Sequence, residues 1–339
     1  MRLVLIGFGN VGQGLAELLV EKREDLSDAF GFEPLVVGIC DAVKGSCYGR
    51  DGIDLAVALD TVAGGGSLAD LPSGCDWDAL RMIEEADADT MVELTFTDIE
   101  TGEPASTHVA AALERGLNVV TTNKGPLALH YHDLDSVAED EDAQFLFEGT
   151  VLSGTPLFNL IGETLAGSDI TEMRGILNGT TNYMLTRMAE GLAYDAALAE
   201  AQERGYAEAV PDADVLGWDA LAKVTILANV VFGADLRPSD TPCEGITNIT
   251  PEQIAEAKER GEQYKLIGRV WREGDTVQAS VGPELVVGTH PLASVTGALN
   301  AVTITTDTLG DVTIVGPGAG RRETGYAVLI DLLHVWSTM

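Results

Sequence analysis

Apolar residues open the chain as an unbroken run, Leu3-Val4-Leu5-Ile6, and then recur at helical spacing over residues 11–20, with Gly7, Gly9 and Gly12 between the two patterns. A short continuous run followed by a period of three to four predicts a buried strand, a turn and a helix. Residues 34–40 predict a second buried strand, and residues 90–95, 117–121 and 144–147 predict three more. Helical periodicity over residues 77–85, 105–115 and 134–140 falls between them. Strands alternating with helices imply a parallel, doubly wound α/β sheet.

Beyond about residue 150 the texture changes. Residues 156–166, 180–190, 194–204 and 215–232 read as helices and residues 263–271 and 276–281 as strands, so a second, α+β domain is expected. The last segment has a strand at 313–315, a second glycine loop at 316–320 and a closing helix. It is expected to return to the first domain, dividing the chain into 1–150, 151–301 and 302–339.

The run Gly7-Phe8-Gly9-Asn10-Val11-Gly12 sits after a strand and before a helix, the context of a Rossmann dinucleotide fingerprint. In that motif the first glycine makes a tight turn, the second admits the pyrophosphate and the third allows close helix packing. Unpaired N–H groups at the helix start favour the anion. Asp41 ends the second strand, where a carboxylate would bond the ribose hydroxyls of NAD; its bland alternative is a solvated turn residue. Lys44 is near enough in sequence to meet a 2′-phosphate, so the reading leans to NAD and leaves NADP open.

Composition changes the picture in one respect. There are 54 acidic against 20 basic residues, a net charge of -34, which disfavours nucleic-acid and anionic-membrane partners. The acids are spread along the chain, as on a solvated surface adapted to salt, because molar salt shortens the Debye length to about 3 Å and screens self-repulsion. Cys40, Cys47, Cys75 and Cys243 have neither CxxC nor metal-ligand spacing and read as free thiols. Met1-Arg2 leads straight into the first strand, and no apolar run approaches the roughly 20 residues a membrane helix needs. A cytoplasmic protein is expected.

Two clusters carry candidate chemistry. Thr121-Thr122-Asn123-Lys124-Gly125-Pro126 follows a predicted parallel strand, which puts Lys124 at a carboxyl end, where ligands bind in open α/β sheets. Lysine is scarce here, six in 339 residues, which weighs against an ordinary loop lysine. The second cluster is Gly205-Tyr206-Ala207-Glu208-Ala209-Val210-Pro211-Asp212-Ala213-Asp214, leading to Asp219 and Lys223 four apart on a predicted helix. That spacing fits a surface ion pair. It fits equally a lysine that moves a proton at a substrate oxygen, with Glu208, Asp214 and Asp219 around it and an amino-acid ammonium.

These motifs, with Glu148-Gly149-Thr150-Val151-Leu152-Ser153-Gly154-Thr155-Pro156 and Gly175-Ile176-Leu177-Asn178-Gly179-Thr180-Thr181-Asn182-Tyr183, resemble the homoserine dehydrogenases over nearly the full chain. The resemblance implies NAD(P)-dependent interconversion of L-aspartate 4-semialdehyde and L-homoserine, in threonine, methionine and isoleucine biosynthesis. It implies Lys223 as proton donor to the aldehyde oxygen, Asp219 orienting it, and Glu208, Asp214 and Tyr206 at the substrate. Lys124 would lie between nicotinamide and substrate, and Thr95 and Gly318 would line the cofactor. The backbone around Glu148, Val151, Ser153 and Thr155 would hold sodium or potassium, and the protein would be a homodimer. Two departures stand out. Ala209-Val210 replaces a more acidic or proline-containing stretch, with an expected effect on head-group contacts, and Arg321-Arg322-Glu323 replaces small residues, with an expected effect on cofactor affinity. The chain leaves no room for an appended regulatory domain, so little feedback inhibition by threonine is expected.

Two rival functions are weaker. Aspartate-semialdehyde dehydrogenase chemistry needs an activated cysteine nucleophile, and none of the four has a catalytic frame. A non-catalytic NAD-sensing module is opposed by the intact Lys124, Asp219 and Lys223.

Overall fold

The computed structural model describes residues 1–339 and divides them into two units, Met1–Phe158 with Gly320–Met339, and Asn159–Ala319. The first contains β1 (Arg2–Ile6), α1 (Asn10–Glu21), α2 (Arg23–Phe30), β2 (Leu35–Asp41), β3 (Gly45–Tyr48), α3 (Leu55–Ala63), β4 (Gly74–Cys75), α4 (Ala79–Glu85), β5 (Thr90–Glu93), α5 (Ala105–Glu114), β6 (Asn118–Thr121), α6 (Lys124–Leu129), α7 (Tyr131–Asp140) and β7 (Phe145–Leu146). The second contains α8 (Phe158–Thr164) beyond its first residue, β8 (Ile170–Ile176), α9 (Gly179–Ala189), α10 (Tyr194–Glu203), α11 (Asp212–Val215), α12 (Trp218–Phe232), α13 (Pro251–Glu259), β9 (Glu262–Glu273), β10 (Thr276–Val287), β11 (Leu299–Thr306) and β12 (Gly310–Pro317). The chain closes with α14 (Arg321–Thr338) in the first unit.

The first unit's sheet runs β4-β3-β2-β1-β5-β6-β7, parallel from β2 to β7, with β3 and β4 antiparallel at one edge. Leu3 to Ile6 are all at most 1% exposed because a central parallel strand is covered on both faces, which is why the sequence shows a run there instead of alternation. After β4 the chain crosses to the other side of β1, so the carboxyl ends of β1 and β5 flank a topological switch point. One core packs Leu3, Leu5, Leu15, Leu18, Ile39 and Val92 with Val328, Leu329 and Leu332 of α14. Closeness between α1 and α14 depends on two glycines: a Cβ on Gly14 would lie 2.2 Å from Arg321 O, and one on Gly325 would lie 2.7 Å from Leu15 N. Arg322 Nη1 reaches Glu21 at 2.6 Å and Arg321 pairs with Glu17. The arginines expected to alter cofactor affinity therefore bind α14 to α1.

The second unit is built on a five-stranded antiparallel sheet, β10-β9-β8-β11-β12. Three expectations are corrected here. Residues 302–317 belong to this sheet, so only α14 returns to the first unit. The single helix expected over 215–232 is two, because Gly217 is left-handed (φ 86) and ends α11 before α12 begins. β10 continues past Val281 through Gly282 and Pro283; it is an edge strand, where a residue without an N–H is tolerated. β8 and β11 went unpredicted, the first because outward-facing Glu172 and Arg174 interrupt its apolar pattern, the second because it is rich in threonine. No helix is long and apolar enough to cross a membrane.

Candidate functional site

In the first unit the glycine turn is shaped by backbone. Gly7 is left-handed (φ 104), and a Cβ there would lie 2.4 Å from Leu94 O and 2.9 Å from Thr95 N, so β1 and β5 end against each other. A Cβ on Gly12 would lie 2.5 Å from Gly7 O, whereas around Gly9 nothing lies within 4 Å. Open space at Gly9, directly before the N-terminus of α1, is what a pyrophosphate requires, so the residues present fit a dinucleotide. Asn10 and Val11 begin the helix, and the Phe8 ring is fully buried beneath the turn.

Asp41 closes β2, and its Oδ2 accepts the Phe8 N–H at 2.7 Å while Oδ1 accepts those of Val43 and Lys44. Burial opposes its ionisation, but the N–H groups of Phe8, Lys44 and Val43 and the Lys44 ammonium hold its carboxyl below the usual carboxylate range. Thr95 follows β5 with its hydroxyl on Glu93. Lys124 is not a loop residue but the first of α6, whose N-cap, Asn123, accepts the Gly125 N–H and donates to Thr95 O and Phe96 O. Thus the structure brings Gly7–Gly12, Asp41, Thr95 and Lys124 to the carboxyl edge of one sheet.

Also in this unit, Glu148, Val151, Ser153 and Thr155 are buried in one tight loop. Ser153 is left-handed (φ 55) with its hydroxyl 2.7 Å from that of Thr324. The Glu148 carboxylate receives the N–H groups of Leu157 and Phe158. The Glu148 side chain is thus turned onto the backbone that follows its own loop.

In the second unit, Asp219 lies in the first turn of α12 and Lys223 one turn later. Lys223 is 6% exposed, which removes the surface-pair reading. Its Nζ donates to Asp219 Oδ2 at 2.7 Å and to Leu177 O at 2.6 Å, leaving the third N–H for another acceptor. Asn178, which caps α9, joins the acids: its Nδ2 donates to Asp214 Oδ1 at 2.6 Å and Asp219 Oδ2 at 3.0 Å, while its Oδ1 accepts from Thr181. Both donors and both acceptor positions of the amide are used. In the sequence Asn178 carries no assigned role; its signal is that of an N-cap residue before Gly-Thr-Thr at a helix start.

Burial pushes the Asp214 carboxyl up, the charge of Asp219 adds to this, and hydrogen bonds from Asn178 and Thr180 oppose it. A carboxyl whose folded-state pKa is raised makes the native state less stable as pH climbs through the interval between its unfolded and folded values. Asp214→Asn, which keeps an acceptor and removes the charge, is expected to raise the melting temperature at pH 7 and to lose that advantage near pH 3; a lower melting temperature at pH 7 would contradict the assignment.

Not every expected residue joins this cluster. Glu208 is exposed and bonds through its main chain, where its O accepts from Gln202. Tyr206 is held through its carbonyl, which accepts from Thr180 at 2.6 Å, and its ring leans on Tyr183 at 4.9 Å. Ala209 and Val210 are exposed beside Glu208 and make no polar side-chain contact with the acids. Gly318 makes room for Asn300, whose Nδ2 would lie 2.0 Å from a Cβ there and which donates to the same Leu177 O that receives Lys223.

Comparison with known proteins gives the family to which this fold and sequence are similar. A family model described as homoserine dehydrogenase matches residues 156–333, and one described as homoserine dehydrogenase, NAD binding domain, matches residues 7–148. An NAD(+)-dependent homoserine dehydrogenase of Pseudomonas canavaninivorans is 45% identical over 98% of this chain and 96% of its own. A homoserine dehydrogenase of Methanocaldococcus jannaschii is 41% identical over 100% and 99%. Among solved structures, a putative homoserine dehydrogenase from Archaeoglobus fulgidus superposes with a TM-score of 0.90 at 39% identity, covering 99% of both chains. A hyperthermophilic archaeal homoserine dehydrogenase in complex with NADPH does so with 0.85 at 31%, covering 100% of this chain and 98% of that one.

Proposed function

This chain belongs to the homoserine dehydrogenase family, and on that premise we propose how its residues divide the NAD(P)-dependent interconversion of L-homoserine and L-aspartate 4-semialdehyde. When bound, the nicotinamide supplies the hydride for reduction and accepts it in oxidation. Lys223 gives a proton to the aldehyde oxygen during reduction and takes it back from the homoserine hydroxyl. Asp219 and the Leu177 carbonyl aim its ammonium, and Asn178 keeps Asp214 and Asp219 together despite their like charges. Asp214 meets the substrate ammonium, with Glu208 and Tyr206 contributing from the adjoining loop. Lys124 and Thr95 act at the nicotinamide end, and Gly318 borders the cofactor. The observation that carries this reading is the buried Lys223 ammonium held by one carboxylate and one carbonyl.

The cofactor preference proposed is NAD. Asp41 is ionised and fixed by three N–H groups at the end of β2, so a 2′-phosphate would meet its charge. The Pseudomonas relative is named as NAD(+)-dependent, whereas the archaeal structure holds NADPH, so the preference varies among relatives. Absorbance at 340 nm with L-homoserine tests both points at once. A homoserine-dependent rise is expected, faster with NAD than NADP, and Asp41→Asn should narrow that ratio by about tenfold, roughly 1.4 kcal/mol. Silence with both cofactors despite demonstrated binding would favour a non-catalytic protein.

Three further features belong to the same proposal. The carbonyls of the loop from Glu148 to Thr155 hold sodium or potassium, testable by repeating the assay with a bulky organic cation as the sole cation. The protein is cytoplasmic, and with a charge of -34 it works best at molar salt. It is a homodimer through the face of the five-stranded sheet away from α12, where Arg174–Glu284 and Arg269–Glu172 pairs flank Trp271. A monomer mass by light scattering in molar salt would refute the dimer.

A further inference from the structure

We infer that Glu93 is a positioning residue for the reaction: its buried carboxylate closes a ring of hydrogen bonds that fixes the two loops carrying Thr95 and Lys124. The inference rests on the roles proposed above for those two residues.

Glu93 ends β5 and is 0% exposed. Its Oε1 accepts the hydroxyl of Thr95 and, at 3.2 Å, the Thr95 N–H. Across the sheet the hydroxyl of Thr121, last residue of β6, donates to Glu93 O at 3.0 Å and lies 3.4 Å from Oε2. That hydroxyl accepts the Asn123 N–H at 3.0 Å, and Asn123 Nδ2 returns to Thr95 O at 3.2 Å and Phe96 O at 3.0 Å. Glu93, Thr95, Asn123 and Thr121 thus form a closed circuit across two adjacent strand ends. Through its Oδ1 on Gly125 N, Asn123 also starts α6, whose first residue is Lys124. The tight approach of Gly7 to Leu94 O and Thr95 N sets the dinucleotide turn against the same loop.

A carboxylate without exposure is costly to keep in a fold unless partners offset its desolvation. Here the carboxylate accepts the Thr95 hydroxyl and N–H, while the Thr121 hydroxyl, turned to the main-chain O of Glu93, lies 3.4 Å from Oε2 and His108 Nδ1 lies 3.6 Å from Oε1. His108 on α5 is its ion-pair neighbour when protonated, whereas its own hydrogen bonds run to the loop that carries Thr95. Its position, at the carboxyl end of a strand beside the switch point, is where loops must be held to their reactive geometry.

The test uses the full-length enzyme and compares Glu93→Ala, Glu93→Gln and Thr121→Val, alone and combined with Lys124→Ala. Glu93→Ala is expected to lower kcat about 100-fold, the scale of a misplacement near 1 Å, and to raise KM for the dinucleotide. KM for homoserine should stay constant, since its head-group residues lie in the other unit. Glu93→Gln, which keeps an acceptor for Thr95, should stay within about fivefold of wild type, and Thr121→Val should lose about tenfold. In the Lys124→Ala background Glu93→Ala should cost less than about threefold more, because both act through one lysine. A Glu93→Ala enzyme that melts lower but keeps kcat and both KM values overturns the inference, as does a full multiplication of its effect with that of Lys124→Ala. If Glu93→Ala does not fold, Thr121→Val at wild-type kcat and KM overturns it equally. An impaired Lys124→Ala beside normal Glu93 and Thr121 variants sinks the inference alone, whereas a fully active Lys124→Ala sinks the role of Lys124 as well.

Discussion

Lys223→Ala is expected to lower kcat by about 10²- to 10⁴-fold while KM for homoserine changes far less, because proton transfer is an interaction made in the transition state. The geometry behind this is specific. Two of the three N–H groups of Lys223 are committed to Asp219 Oδ2 and Leu177 O, so the ammonium has one direction left in which to deliver a proton. Alanine also leaves Asp219 without that partner, so a melting curve must accompany the kinetics, with Lys223→Arg as a control that keeps the charge. Arginine does not give up a proton in a protein and is expected to restore stability without restoring turnover. A Lys223→Ala enzyme that keeps most of its kcat would refute the assignment.

Gly9→Val is expected to raise the dissociation constant for the dinucleotide at least about 100-fold, roughly 2.7 kcal/mol, while leaving the melting temperature of the cofactor-free protein unchanged. These effects separate because the space around Gly9 is empty in the fold itself, with no atom within 4 Å of a built Cβ, and Gly9 is not left-handed (φ -75). A Cβ there meets no atom of the fold, and the valine methyls would enter the space a pyrophosphate needs. Gly7 and Gly12 contrast with it, since side chains at either would meet backbone oxygen at 2.4 and 2.5 Å and disturb the turn directly. Equal loss of stability and of binding in Gly9→Val would contradict this division; isothermal titration and a thermal melt on the same preparation decide it.

The lysines show how far scarcity can be used as a signal. It drew attention to Lys124, which is only partly buried, whereas Lys265 is buried at least as fully as Lys223, with its Nζ on Asn182 Oδ1 and Val295 O. Burial lowers its pKa to about 8. Lys265 ties β9 to α9 and to the segment before β11, a structural task that the same count of six lysines conceals.

What the sequence determined by itself is what rests on local pattern. The run at β1, the glycine turn and the helix after it encode a strand, a phosphate-binding turn and α1 within about 20 residues, because each is set by neighbours along the chain. The motif order from Gly7 to Lys223 pointed to the family, and the i,i+4 spacing put Asp219 and Lys223 on one face. Tertiary structure alone decided which of those residues meet. Spacing could not distinguish an exposed ion pair from a buried ammonium, because burial depends on what packs over α12. Nor could it give Asn178 its place between Asp214 and Asp219, 36 and 41 positions away, or join Glu93 to Thr121 across 28. Those contacts are made by strand pairing and helix docking, where residues distant in sequence become neighbours, and no local periodicity carries that information.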